Sequence, residues 1–86
     1  MQLSKKHRAT LEAIFCDPVR ADVAWREIEA LLEACGGQIS EGQGSRVCVV
    51  LNGVCAVFHR PHPRKETDKR ALKAVRRVLI EAEITP

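Results

Sequence analysis

The sequence predicts an α+β domain in which helices cover one face of a three-stranded antiparallel sheet, and three observations carry that prediction. Two apolar runs, 46–51 and 54–59, are separated by Asn52-Gly53. This residue pair is well suited to the positive φ that both central positions of a type I′ hairpin turn require. Apolar residues recur at helical spacing in two segments before the hairpin and one after it. The chain of 86 residues is 45% hydrophobic but only 3% aromatic, which makes one small domain with an aliphatic core, near the lower size limit for a fold without staples.

Residues 5–16 place Leu11, Ile14 and Phe15 at helical spacing, with Ser4 as the N-cap, and Asp17-Pro18 ends the segment. A second helix fits 24–35. Its apolar stripe is Trp25, Ile28, Leu31, Leu32 and Cys35, set against Arg26, Glu27, Glu29 and Glu33. Asp22 is expected to cap this helix and Gly36-Gly37 to stop it. Residues 38–41 read as a first strand, turned into the hairpin by Gly42 and Gly44. Pro61 and Pro63 end the third strand, because neither can donate to a ladder. Thr67 or Asp68 opens a last helix running to about Glu83. It is expected to bury Ala71, Leu72, Val75, Val78, Leu79 and Ala82 while exposing Lys69, Arg70, Lys73, Arg76 and Arg77. The order is α-α-β-β-β-α, in a single domain over 1–86.

The hairpin allows its register to be worked out. With Asn52 and Gly53 as the loop, Leu51 faces Val54, Val49 faces Ala56, Val47 faces Phe58 and Arg46 faces His59. One sheet face is then wholly apolar: Val47, Val49, Leu51, Val54, Ala56 and Phe58. Helices packed on that face supply the cover it needs. The other face, Arg46, Cys48, Val50, Cys55, Val57 and His59, is left open and ends in a cation beside an imidazole. Val50 and Val57 mark where a partner docks.

Charge is distributed unevenly. Residues 1–58 carry six Lys/Arg and seven Asp/Glu, whereas 59–77 carry eight and two. A basic stretch immediately after the hairpin is the footprint that a polyanion requires, since displaced phosphate counterions are the main sequence-independent source of affinity. The plainer reading of such a stripe is a solvated helix face. Cys16, Cys35, Cys48 and Cys55 form no CxxC pair, so reduced thiols are expected rather than a zinc ribbon. Cys48, Cys55 and His59 share a face, but a flat hairpin does not readily close a tetrahedron around zinc, and no metal or other cofactor is expected. The chain has no run of about 18 apolar residues for a membrane span, and its N-terminal Met-Gln-Leu-Ser-Lys-Lys-His-Arg lacks the apolar core of a secretory signal. It is read as cytoplasmic, with no membrane partner.

Four features stand in order along the chain: a helix ending in Gly36, a Gly-x-Gly-Ser opening of the second strand (Gly42, Gly44, Ser45), an apolar-His-x-Pro-His-Pro exit from the third (Phe58 to Pro63), and a basic closing helix. In these features the stretch from Ala24 to Ile84 resembles the HicA family of type II toxins. The resemblance implies a double-stranded-RNA-binding-domain-like α-β-β-β-α fold in a core over 22–86, with 1–20 as an N-terminal helical extension. It further implies an endoribonuclease that cleaves mRNA and is neutralised by a HicB-like antitoxin.

One position departs from the family. Where the resemblance implies the catalytic histidine, directly after Gly-Ser on the second strand, this chain has Arg46. Arginine stays protonated and cannot accept a proton from a ribose 2′-hydroxyl. The register, however, sets His59 directly across from Arg46 on the open face, with Cβ atoms about 4.5 to 5.5 Å apart. The catalytic candidates are therefore His59 as general acid and base, Arg46 as stabiliser of phosphorane charge, and His62 as a second acid or phosphate contact. The RNA-binding candidates are Arg60, Arg64, Lys65, Lys69, Arg70, Lys73, Arg76 and Arg77. The competing readings are a surface histidine at a strand end for His59 and a loop histidine for His62. His7, in the first helix, is read as solvated. At the level of the whole chain, the alternative is a non-catalytic RNA-binding or antitoxin-binding module of the same fold.

Overall fold

The computed structural model describes residues 3–86. The elements are α1 (Lys5–Ile14), α2 (Trp25–Ala34), β1 (Gln38–Glu41), β2 (Arg46–Leu51), β3 (Val54–His59) and α3 (Lys69–Glu81). The sheet is an antiparallel meander in the order β1-β2-β3, so the α+β architecture with its α-β-β-β-α core stands as predicted. Helices α2 and α3 pack against the sheet and α1 packs against both of them. Val47, Val49 and Leu51 on β2 are fully buried against Ile28, Leu31, Leu32, Leu72, Val75 and Leu79. At about 25 cal/mol per Å² of apolar area removed from water, this layer is the main source of stability in a chain with almost no aromatic residues.

The hairpin forms in the predicted register, from Leu51 opposite Val54 to Arg46 opposite His59. Asn52 and Gly53 take positive φ, 49° and 80°, as a type I′ turn demands. The Asn52 side chain also donates to the carbonyl of Ala82 at 2.9 Å, fastening the hairpin tip to the end of α3.

Helix ends show which local signals prevailed. Ser4 accepts from the His7 N–H at 3.1 Å and Asp68 from the Ala71 N–H at 2.7 Å, so both act as N-caps. Asp22 does not cap α2; it pairs with Arg20 instead. The N-cap position of α2 is Ala24, with no side-chain bond, and the Trp25 N–H is satisfied by the Lys65 carbonyl at 3.0 Å. Together with Thr67 N–H to the Val23 carbonyl at 2.8 Å, this ties the segment leaving β3 to the segment entering α2. That backbone partner removes the need for a side-chain cap. At the other end, Gly36 has φ 93°, and the bonds Gly37 N–H to Leu32 and Gly36 N–H to Glu33 form a Schellman cap. Glu83 plays the same part after α3 with φ 63°.

Arg76 corrects the expected exposed face of α3. Its guanidinium turns back and donates to the carbonyls of Ile14 (3.0 Å) and Cys16 (2.9 Å) and to Asp17 (3.3 Å). It also lies 5.8 Å from the Phe15 ring centre. Carbonyls at and just beyond the C-terminus of α1 lack helical partners and carry negative dipole charge, so a cation one helix away is drawn to them.

Candidate functional site

The open face of the sheet carries Arg46, Cys48, Val50, Cys55, Val57 and His59, all exposed. Arg46 and His59 are direct partners across β2 and β3. The Arg60 N–H bonds to the Ser45 carbonyl at 2.8 Å, and the Arg46 carbonyl accepts from Gly42 N–H on the β1 side at 2.8 Å. The Arg46–His59 step is thus a non-hydrogen-bonded pair, in which opposed Cα atoms lie about 4.5 Å apart and side chains come closest. A Cβ built on Gly42 would stand 3.2 Å from the Arg46 Cδ, so the glycine leaves room for the arginine stem to lie across the start of the sheet.

Ser45 adds a residue that sequence reasoning gave no role. Its hydroxyl lies 3.5 Å from the Nδ1 of His59, at the limit of hydrogen-bond reach, where it can bias the tautomer. Ser45 sits just before β2 begins, where strand alternation no longer tells which way a side chain points. His62 is exposed in the segment after β3 and, among the described residues, makes no hydrogen bond. The fold therefore brings Arg46, His59 and Ser45 together and leaves His62 beyond the strand end.

Arg60 goes elsewhere than the RNA-binding expectation placed it. One step beyond His59, strand alternation sends its side chain to the helix side. There Nε and Nη2 donate to Glu29 at 2.8 and 3.2 Å, and Nη1 donates to Glu41 at 2.9 Å. The Trp25 indole N–H donates to the same Glu29 carboxylate, and the indole packs at 54° to Phe58 with ring centres 5.5 Å apart. The Glu29 and then the Glu41 carboxylate push the guanidinium still further above its usual pKa. Arg60 thereby joins α2, β1 and the end of β3. Arg76 is likewise spent on α1. Arg64, Lys65, Lys69, Arg70, Lys73 and Arg77 are exposed, and among the described residues none of them makes an ion pair.

All four cysteines are free, with only Cys35 buried, and burial pushes its thiol pKa up. Among the described residues, no group of three or more His, Cys, Asp or Glu side chains is placed to hold a metal ion. No helix among them is long and apolar enough to cross a membrane.

A family model described as "HicA toxin of bacterial toxin-antitoxin" matches residues 25–84. That stretch runs from the first residue of α2 through the hairpin and all of α3, and includes every site residue described above. No curated protein and no solved structure matches the chain. The family match spans more than half of the chain and rests on the same elements that build the open sheet face; the chain belongs to the HicA toxin family, with a toxin's role in a bacterial toxin–antitoxin system and an antitoxin as its counterpart.

Proposed function

We propose that this toxin is an endoribonuclease that cleaves mRNA without a metal ion, with His59 as general base and acid. The single observation that carries the reading is the directly opposed Arg46–His59 pair on the open face. His59 takes the proton of a ribose 2′-hydroxyl, and the oxygen attacks the adjacent phosphorus. The 5′-oxygen then leaves with a proton from His62, from the protonated His59 or from water, giving a 2′,3′-cyclic phosphate and a new 5′-hydroxyl. Because the nucleophile belongs to the substrate, no metal-activated water is needed. Arg46, fixed in charge, stabilises the extra negative charge of the phosphorane. The exposed cations Arg64, Lys65, Lys69, Arg70, Lys73 and Arg77 hold the strand, while Arg60 and Arg76 support the fold. Messenger RNA as substrate places the activity in the cytoplasm. A HicB-like antitoxin covers the open face, where Val50 and Val57 are 41% and 54% exposed.

The test is cleavage of single-stranded RNA by purified protein in EDTA. His59→Ala is expected to slow cleavage by about 10² to 10⁴-fold, the usual worth of a positioned acid–base group. Cleavage that persists in His59→Ala combined with His62→Ala would remove the site assignment. A second reading, a non-catalytic RNA-binding or antitoxin-binding module, draws on Arg46, which cannot serve as a base. Wild-type protein that binds RNA in EDTA and never cuts it would establish that reading instead.

A further inference from the structure

On the helix side of the β3 exit lies a pocket of about 310 Å³ that no step above uses. Its apolar surface comes from Trp25, Pro61 and Pro63, and its charge from Arg26, Arg64 and Lys65. Arg60 also lines it, but with its guanidinium held by Glu29 and Glu41. The walls are pinned. Trp25 is 5% exposed, packed on Phe58 and bonded to Glu29. The Trp25 N–H to Lys65 bond closes α2 against the exit segment. The volume is at the small end of the range that small ligands occupy, and such ligand pockets are usually formed in advance.

The proline rings of Pro61 and Pro63 beside guanidinium groups suit the face of an unpaired base, the cations suit its phosphates, and the nearly buried Trp25 backs the pocket. An acidic peptide would use the charges and leave the apolar surface idle. Pro61 is two residues from His59, about 7 Å at most along the chain, so a strand with a base in the pocket reaches the Arg46–His59 pair by rounding the end of β3. We infer that this pocket receives one unpaired base of the RNA, with Arg26 and Arg64 on its flanking phosphates, where the strand rounds the end of β3. This rests on the ribonuclease reading for the identity of the strand. It makes Arg26, which lies outside the basic run of 60–77, a substrate-binding residue.

Trp25 is the one tryptophan of the chain, so its emission reports the pocket. The protein is titrated with a short single-stranded 2′-O-methyl RNA, which cannot be cut because its 2′-oxygen is blocked, and with an abasic strand of equal length. The base-bearing strand is expected to change Trp25 emission and to bind about tenfold more tightly than the abasic one, as one stacked base provides. Arg26→Gln with Arg64→Gln is expected to lower affinity about tenfold. It should also flatten the slope of log affinity against log salt by about 1.4, at about 0.7 per lost phosphate contact on a single strand. Equal binding of both strands, or an unchanged double variant, overturns the inference. An equal response to a polyglutamate peptide overturns it too and reassigns the pocket to an acidic protein. The two readings fail separately: base discrimination by a protein that never cleaves would sink only the ribonuclease, and cleavage without discrimination would sink only the pocket.

Discussion

Arg76→Ala is expected to destabilise the fold far more than it weakens RNA binding, and the contacts set the size of the effect. The guanidinium donates to two backbone carbonyls at 3.0 and 2.9 Å. A hydrogen bond from a charged donor is worth about 1.5 kcal/mol at the low end of its range. Asp17, with its side chain 76% exposed, adds about 0 to 1 kcal/mol, and the contact with Phe15 about 0.5 to 1 kcal/mol. These share one side chain and do not add fully, which leaves about 2 to 4 kcal/mol. At about 0.05 to 0.15 kcal/mol per residue, a chain of this size has roughly 4 to 13 kcal/mol in all, so the loss is a large fraction. It corresponds to a fall in melting temperature of about 10 to 25 °C. Arg76→Lys keeps the charge but cannot span both carbonyls, and should recover about half of the loss. Calorimetry or urea denaturation measures the stability, and a binding titration below the variant's melting temperature measures RNA affinity. A variant that melts within about 3 °C of wild type but binds RNA tenfold more weakly would refute the reasoning and return Arg76 to the solvated face.

If the imidazole and the guanidinium act as an opposed pair, exchanging them by Arg46→His with His59→Arg should retain cleavage within about 10²-fold of wild type, whereas His59→Arg alone should abolish it; a dead double variant that still melts normally argues against the pair. Glu83→Gly relieves a left-handed position after α3 and should raise stability by about 0.5 to 1 kcal/mol in urea denaturation, and no gain would mean that the Glu83 side chain offsets the strain. Cys35 has its pKa raised by burial, so its contribution to stability is full below about pH 8.5, the value for an unfolded thiol, and declines as pH rises toward the folded value. The melting-temperature gap between wild type and Cys35→Ala should therefore narrow between pH 7 and pH 10, and a constant gap would contradict the assignment.

The hairpin was legible because two independent signals agree on it: Asn52-Gly53 demands a two-residue turn, and strand alternation then leaves one register that buries Val47, Val49 and Leu51 together. The Ser4 and Asp68 caps were legible for the same reason, since cap and helix lie within three residues of each other. What escaped lies far apart in the chain. Arg60 meets Glu29 across 31 positions and Arg76 meets Ile14 across 62; a pattern of charges shows that a cation is present but not what it binds. Asp22 failed as a cap because the α2 N-terminus already had a backbone partner some forty residues downstream, at Lys65. Part of the Glu29 contact could have been anticipated, because Trp25 and Glu29 stand one helical turn apart. The pocket behind β3 could not, because it exists only once the exit segment closes on α2.

The hairpin also limits how the gene can vary. Side chains alternate between faces at every step, so one codon inserted between Arg46 and His59 would push the imidazole to the helix side, where Phe58 and Arg60 now lie. Asn52 tightens this, since its bond to Ala82 anchors the loop that would have to absorb the extra residue. A single-residue insertion in this interval therefore parts His59 from Arg46.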